Sequence, residues 1–182
     1  MRNRSMAVAM CVLAVALGQG APAEAARSCD FGGTFAARSS EPGRPRPVRF
    51  LTRVRAGAHR CFDRATFEFR TSGVRAPGYR VAYESAPIRE DGSSRTVRIR
   101  GNAFLVVRLS PARDTELSGA GGPKPTYRGP DAVEPRGGSR IVEVRHVSSF
   151  EGTVKWAIGV DRRRPFRVTT LRSPPRVVID VG

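Results

Sequence analysis

Arg64-Ala65-Thr66-Phe67-Glu68-Phe69-Arg70 decides the fold. Ala65, Phe67 and Phe69 take every second position; Arg64, Thr66, Glu68 and Arg70 take the others. Side chains of an extended strand alternate between its two faces. The pattern therefore describes a ribbon with one face in an apolar core and the other in water. The same period recurs in both directions. Upstream, Val48, Phe50, Thr52 and Val54 fall on one side, and Arg49, Arg53 and Arg55 on the other. Downstream, Tyr79, Val81 and Tyr83 oppose Arg80 and Glu84, and Val97 and Ile99 oppose Arg98 and Arg100. Asp91-Gly92 and Gly101-Asn102 read as turns. Phe104-Leu105-Val106-Val107 is apolar on both faces, as a central strand would be. Alternation resumes with Val142, Val144 and His146, then Val154, Trp156, Ile158 and Val160, then Phe166 and Val168, and last Val177, Ile179 and Val181. No stretch sustains a 3.6-residue apolar period. Eight or nine short strands at roughly 8–12-residue intervals predict an all-β, single-domain β-sandwich.

The flanks of this pattern define the domain organisation. Arg2 and Arg4 precede an apolar run, Met6 to Leu17, which is followed by small residues ending in Ala23-Glu24-Ala25-Ala26. A basic start, a short apolar middle and a small-residue end are the parts of a secretory signal, predicted over residues 1–25 with cleavage after Ala25 or Ala26. The run is shorter than the roughly 20 residues a spanning helix needs, and no later segment is apolar enough to cross a bilayer. Cys11 lies inside the run and Cys29 follows Arg27-Ser28, so neither reads as a lipidation site. Residues 26–47 form an irregular Gly/Pro/Arg-rich arm, and 48–182 the β-domain. Within that domain, 110–139 reads as a long Gly/Pro-rich loop, with Tyr127 as its anchor.

The chain carries 32 basic and 16 acidic residues, a net charge of +16. Only Lys124 and Lys155 are lysines; the rest of the positive charge is arginine. Such a surplus attracts polyanions, although an Arg-, Ala-, Gly- and Pro-rich composition also fits a GC-rich coding sequence. If neighbouring strands align, Arg49, Arg53, Arg64, Arg80, Arg98 and Arg100 form one basic sheet face suited to phosphate or carboxylate; the plainer alternative is a solvated face that prevents edge aggregation. After signal removal Cys29 and Cys61 are the remaining pair, and two cysteines in an exported chain read as a disulfide. Their 32-residue separation corresponds to about 3–4 kcal/mol in the chain-entropy picture.

The chemistry-bearing residues form no recognisable catalytic set. His146 lies in phase with apolar residues and reads as a hydrogen-bonded core histidine, while His59 sits in a turn before Cys61. Two histidines so far apart make no metal motif, and neither a nucleophile elbow nor a phosphate loop is present. Asp63, Glu68, Glu151, Asp161 and Asp180 are the carboxylates from which a hydrolase pair would have to be drawn. Asp63 with Arg64 and Arg176 with Asp180 read more simply as ion pairs at strand ends. Trp156, between Val154 and Ile158 in phase, reads as a core plug.

Several segments in order resemble the AMIN-like domain of secreted actinobacterial proteins. They are Gly57-Ala58-His59-Arg60-Cys61-Phe62-Asp63-Arg64, Pro77-Gly78-Tyr79-Arg80-Val81, Gly101-Asn102-Ala103, Thr126-Tyr127-Arg128-Gly129-Pro130, Ser149-Phe150-Glu151-Gly152, Trp156-Ala157-Ile158-Gly159 and the end from Pro174 to Val181. The resemblance covers about 48–181. It implies a β-sandwich related to the non-catalytic AMIN domains of cell-wall amidases, with envelope targeting and peptidoglycan binding, and it carries no catalytic residue. Cys61 stands where the family has a small residue before Phe-Asp-Arg, and Ala65-Thr66 replaces a more apolar pair.

Together these observations predict an exported, envelope-associated module that is no enzyme and holds no cofactor or metal. Its candidate binding residues are Arg49, Arg53, Arg64, Arg80, Arg98, Arg100 and Tyr127. The partner would be cell-wall glycan or an anionic envelope polymer, with an envelope protein as the alternative; nucleic acid is excluded by export and by the lack of its recognition modules. A protein-interaction or inhibitor module is the second reading, and a hydrolase with an unrecognised carboxylate pair the third.

Overall fold

The alternating segment around Phe67 forms β3 (Asp63–Phe69), whose odd-numbered residues are all buried and whose even-numbered ones are half-buried. This computed structural model describes residues 29–40, 47–70, 75–117, 121–138 and 140–182. The predicted signal over 1–25 and the arm residues 26–28 and 41–46 lie outside the described residues. β3 is flanked by β2 (Arg49–Ala58) and β13 (Arg176–Val181). With β12 (Phe166–Leu171) and β6 (Ala112–Arg113) they form a five-stranded sheet ordered β12–β13–β3–β2–β6. The larger sheet joins β1 (Arg38–Ser39), β4 (Gly78–Glu84), β5 (Ala103–Ser110), β11 (Thr153–Val160), β10 (Ile141–Phe150) and β9 (Ala132–Val133), in the order β1–β4–β5–β11–β10–β9. A small ribbon pairs β7 (Thr115–Glu116) with β8 (Lys124–Pro125). The ladders are antiparallel apart from β2–β6. The result is an all-β sandwich in which eight of the nine strands read from the sequence form; the exception is described below.

The inner faces meet on Trp156, Phe67, Phe69, Phe166, Leu51, Leu105 and Leu109, all fully buried. Trp156 packs edge-on to Phe67 with centroids 5.8 Å apart, a favoured aromatic geometry. β5 is central, between β4 and β11, and its outer side is also apolar. There Val106 joins Ile88, Val147 and Ala157 in a second cluster, covered by Val97, Ile99 and Phe104. Residues 97–100, expected as a strand, are instead an extended strap over this patch and belong to no ladder. The strap lies so close to β11 that a Cβ on Gly159 would fall 1.8 Å from the Arg100 carbonyl oxygen.

Two phases differ from simple alternation because bulges reset them. In β2 the register shifts between Leu51 and Arg53, and Thr52 Oγ1 donates to the Glu68 carbonyl at 3.1 Å. Leu51 and Val54 consequently both reach the core, while Val48 and Phe50, expected inward, do not. Arg49, expected outward, is only 6% exposed, and its Nε donates to the Arg75 carbonyl at 2.9 Å. In β10 shifts between Ile141 and Glu143 and between His146 and Ser148 put Ile141 and Val144 in the core in place of Val142. The described residues of the segment 110–139, expected as a loop, contain four two-residue strands and fold back on the sandwich. Thr126 Oγ1 donates to the Leu51 carbonyl at 2.8 Å, and the Thr126 and Tyr127 amides donate to the Asp114 carbonyl.

Candidate functional site

The outer face of the smaller sheet is built from the even-numbered, half-buried positions of β3 and their neighbours in register. Across β12, β13, β3 and β2 three rows stand abreast: Arg167–Asp180–Arg64–Gly57, Thr169–Val178–Thr66–Arg55, and Leu171–Arg176–Glu68–Arg53. Five guanidinium groups thus share this face with two carboxylates. Asp180, 2% exposed, accepts from Arg64 Nε at 2.6 Å and Nη2 at 3.0 Å, a two-pronged pair, and from Arg167 Nη2 at 3.1 Å. The Asp180 hydrogen bond holds the Arg64 pKa above its ordinary value. Glu68 accepts from Arg55 Nη2 at 3.1 Å. Arg53 and Arg176 pair with no carboxylate among the described residues.

The arm contributes to this face through the Cys29–Cys61 disulfide, whose Cα atoms are 5.2 Å apart. The bridge brings Phe31 beside Phe62, centroids 6.1 Å apart. Arg64 then lies 5.0 Å from the Phe62 centroid and Arg167 5.2 Å from that of Phe31. Cation–π contact holds both guanidinium groups on either side of Asp180. His59 stacks on Phe62 in the same turn.

The other expected binding residues do not join this face. Arg80 is exposed on β4 of the larger sheet, opposite Arg108 and Ser39. Arg98 is exposed on the strap. Arg100 bonds Glu143 at 2.8 Å and Glu134 at 2.6 Å. Tyr127 is half-buried, edge-on to Trp156 at 5.4 Å, and its hydroxyl donates to the Pro130 carbonyl at 2.8 Å; burial pushes its pKa up to about 12. It pins the 110–139 segment to the core. Only Arg53 and Arg64 of the expected set are brought together. Arg55, Arg167 and Arg176 complete the face; their outward phase is readable from alternation, but their adjacency depends on register.

At the β10–β11 hairpin two adjoining hollows of about 750 and 510 Å³ share Ser149 and Phe150. Glu90, Asp91 and Asp131 line the first, and Asp114 and Glu151 the second. His146 is half-buried rather than a core residue, edge-on to Trp156 at 5.1 Å. Its Nε2 lies 3.3 Å from both Ser149 Oγ and Asp114 Oδ2, and the Ser149 hydroxyl donates to Asp114. A hydrolytic triad needs the nucleophilic hydroxyl and the orienting carboxylate on opposite nitrogens of the imidazole base; here Ser149 and Asp114 meet the same nitrogen. The His146 hydrogen bond, with help from Ser149, lowers the Asp114 pKa to about 2.

The carboxylates from which a hydrolase pair would be drawn are spread across the fold. Asp63 is buried and accepts the Arg140 and Ile141 amides; its cationic neighbour is Arg140, not Arg64. Asp180 pairs with Arg64 and Arg167, not Arg176. Asp161 is clamped by Arg164 at 2.6 and 2.8 Å, and Glu151 is exposed in a turn. Among the described residues no three His, Cys, Asp or Glu side chains gather to hold a metal ion, and no helix is long and apolar enough to cross a membrane.

Comparison with known proteins finds a match to one family model, described as AMIN-like domain, over residues 49–182. No curated protein and no solved structure matches. AMIN-like domains occur in extracytoplasmic proteins and are typically non-catalytic, cell-wall-associated binding modules. With the match running from β2 to β13, this chain belongs to the AMIN-like domain family.

Proposed function

We propose that this protein is an exported, non-catalytic module that docks on anionic polymers of the cell envelope through the outer face of its smaller sheet. One observation carries the reading: five arginines, Arg53, Arg55, Arg64, Arg167 and Arg176, are set in register on one side of a sheet, with Glu68 and Asp180 alone among the described residues of that face to offset them. Guanidinium groups recognise phosphate and carboxylate in a planar, two-pronged fashion. Anchorage by Phe31 and Phe62 reduces the side-chain freedom lost on binding. The sandwich supplies the scaffold and the disulfide fixes one end of the face.

Sedimentation with purified cell wall tests this. The Arg53→Gln/Arg55→Gln/Arg176→Gln variant should bind about 3–150-fold more weakly, from about 0.2–1 kcal/mol per exposed charge contact. Retention of the parent should fall as salt rises. Arg80→Gln/Arg98→Gln, away from this face, should bind as the parent does. Retention indifferent to both salt and the triple substitution overturns the proposal.

A further inference from the structure

β12 is the outermost strand of the smaller sheet. Its first residue is already paired on the free side: Thr34 and Phe166 exchange both backbone hydrogen bonds, each 2.9 Å. Backbone groups on one side of an antiparallel strand recur every second residue. The amides and carbonyls of Val168 and Thr170 therefore point the same way as those of Phe166. The arm does not continue along them. The Gly33 amide donates to the Phe31 carbonyl at 2.8 Å, a tight turn that takes the chain off the edge and sends Phe31 over Arg167. Val168 and Thr170 carry no hydrogen bond on this side among the described residues.

The chemistry around this open edge is basic. A recess of about 240 Å³ is lined by Gly32, Gly33, Thr34, Arg38, Arg167 and Val168. Arg38 is exposed and pairs with no carboxylate among the described residues. Beyond the recess Thr169, Thr170, Leu171 and Arg172 are exposed. Natural edges are commonly blunted by a bulge, by proline or by charge. The β12–β13 register is unbroken, and residues 166–171 contain no proline, so charge is the device in use here. Arginine repels the like-charged edge of a second copy, and for the same reason it favours a strand bearing carboxylates.

We propose that the free side of β12, at Val168 and Thr170, accepts an extended acidic segment of a partner protein as an added strand. Main-chain hydrogen bonds to Val168 and Thr170 would extend the ladder that Thr34 begins, and Arg38 and Arg167 would take the partner's carboxylates. Strand addition of this kind draws affinity from the backbone and specificity from alternate side chains. It shares only Arg167 with the wall-binding face, so the two readings stand or fall separately.

The probe is a fluorescent, capped hexapeptide, Thr-Glu-Val-Glu-Val-Thr, with the Glu→Lys peptide as control. At saturating peptide, hydrogen exchange at the Val168 and Thr170 amides should slow at least about tenfold, and the Lys peptide should not bind. Thr170→Pro removes one outward donor, which an edge strand tolerates, and should weaken binding about tenfold, the loss expected for one good hydrogen bond. Arg38→Gln should weaken it similarly. Both variants should sediment with cell wall as the parent does. If Thr170→Pro fails to fold, Arg38→Gln and the exchange pattern still decide. Unchanged exchange at Val168 and Thr170, equal binding of the Lys peptide, or a peptide-free dimer that protects the same amides overturns the proposal.

Discussion

Asp63 joins the two sheets, and its removal should be costly. The residue is fully buried at the start of β3. Its Oδ2 accepts the Arg140 amide at 2.8 Å and the Ile141 amide at 3.0 Å, at the entry to β10 in the opposite sheet. Oδ1 makes no hydrogen bond among the described residues; its cationic neighbour is Arg140 Nη1 at 3.5 Å. Gly138 passes so near that a Cβ there would fall 2.6 Å from Oδ2, so its backbone packs directly on the carboxylate. Asp63→Ala strands two amides that now donate charge-assisted bonds, each worth about 1.5–3 kcal/mol when made and a similar desolvation cost when lost. Because Arg140 retains some solvent access, the expected loss is about 2–4 kcal/mol. For a domain of this size that corresponds to a Tm lower by roughly 5–15 °C. Asp63→Asn keeps one acceptor oxygen for both amides but loses the charge facing Arg140, and should cost about half as much. Urea unfolding followed by tryptophan fluorescence measures both, since Trp156 is the sole tryptophan and lies in the core. An Asp63→Ala midpoint within about 0.5 kcal/mol of the parent at unchanged m-value would refute the reasoning.

Two other consequences can be measured on the same domain. Replacing Cys29 and Cys61 with serine should cost about 3–4 kcal/mol by releasing a 32-residue loop, and should free Phe31 from Arg167; equal urea midpoints for the parent and the double variant would contradict it. The Asp114 carboxyl, at about 2 in the folded chain against 3.8 ordinarily, contributes stability that is present above about pH 4 and is lost as pH falls through 2. Carboxyl-carbon NMR should place its midpoint near 2 in the parent and higher in His146→Gln, which removes the largest cause; a parent midpoint near 4 would show that the His146 bond is not formed.

Alternation made most of the sandwich legible. β3, β11 and β13 put Phe67, Trp156 and Ile179 inward as their spacing requires, because an unbulged strand in a two-layer fold has no other way to bury one face. Alternation failed at Thr52 and Val142, where one extra residue reverses the phase, and a bulge has no compositional mark when its residue is neither glycine nor proline. It failed again at Val97–Arg100, where the apolar residues cover an outer sheet face and pair with nothing. The candidate site was half legible for a related reason. That Arg53 and Arg64 face outward follows from local period; that Arg167 and Arg176 stand beside them follows from the β12–β13–β3–β2 register, a long-range property. Arg80, Arg98 and Arg100 share the outward phase, but the chain places them around the other sheet.

β13 comes last among the strands, yet it lies inside its sheet and is the sole link between β3 and β12. During synthesis, residues 63–69 must wait with one hydrogen-bonding side unsatisfied until residues 176–181 have emerged from the ribosome. The smaller layer therefore cannot close before residues 176–181 are available, and until then the inner face of the larger sheet stays uncovered. A chain threaded outward through a translocation pore would meet no prematurely folded obstacle.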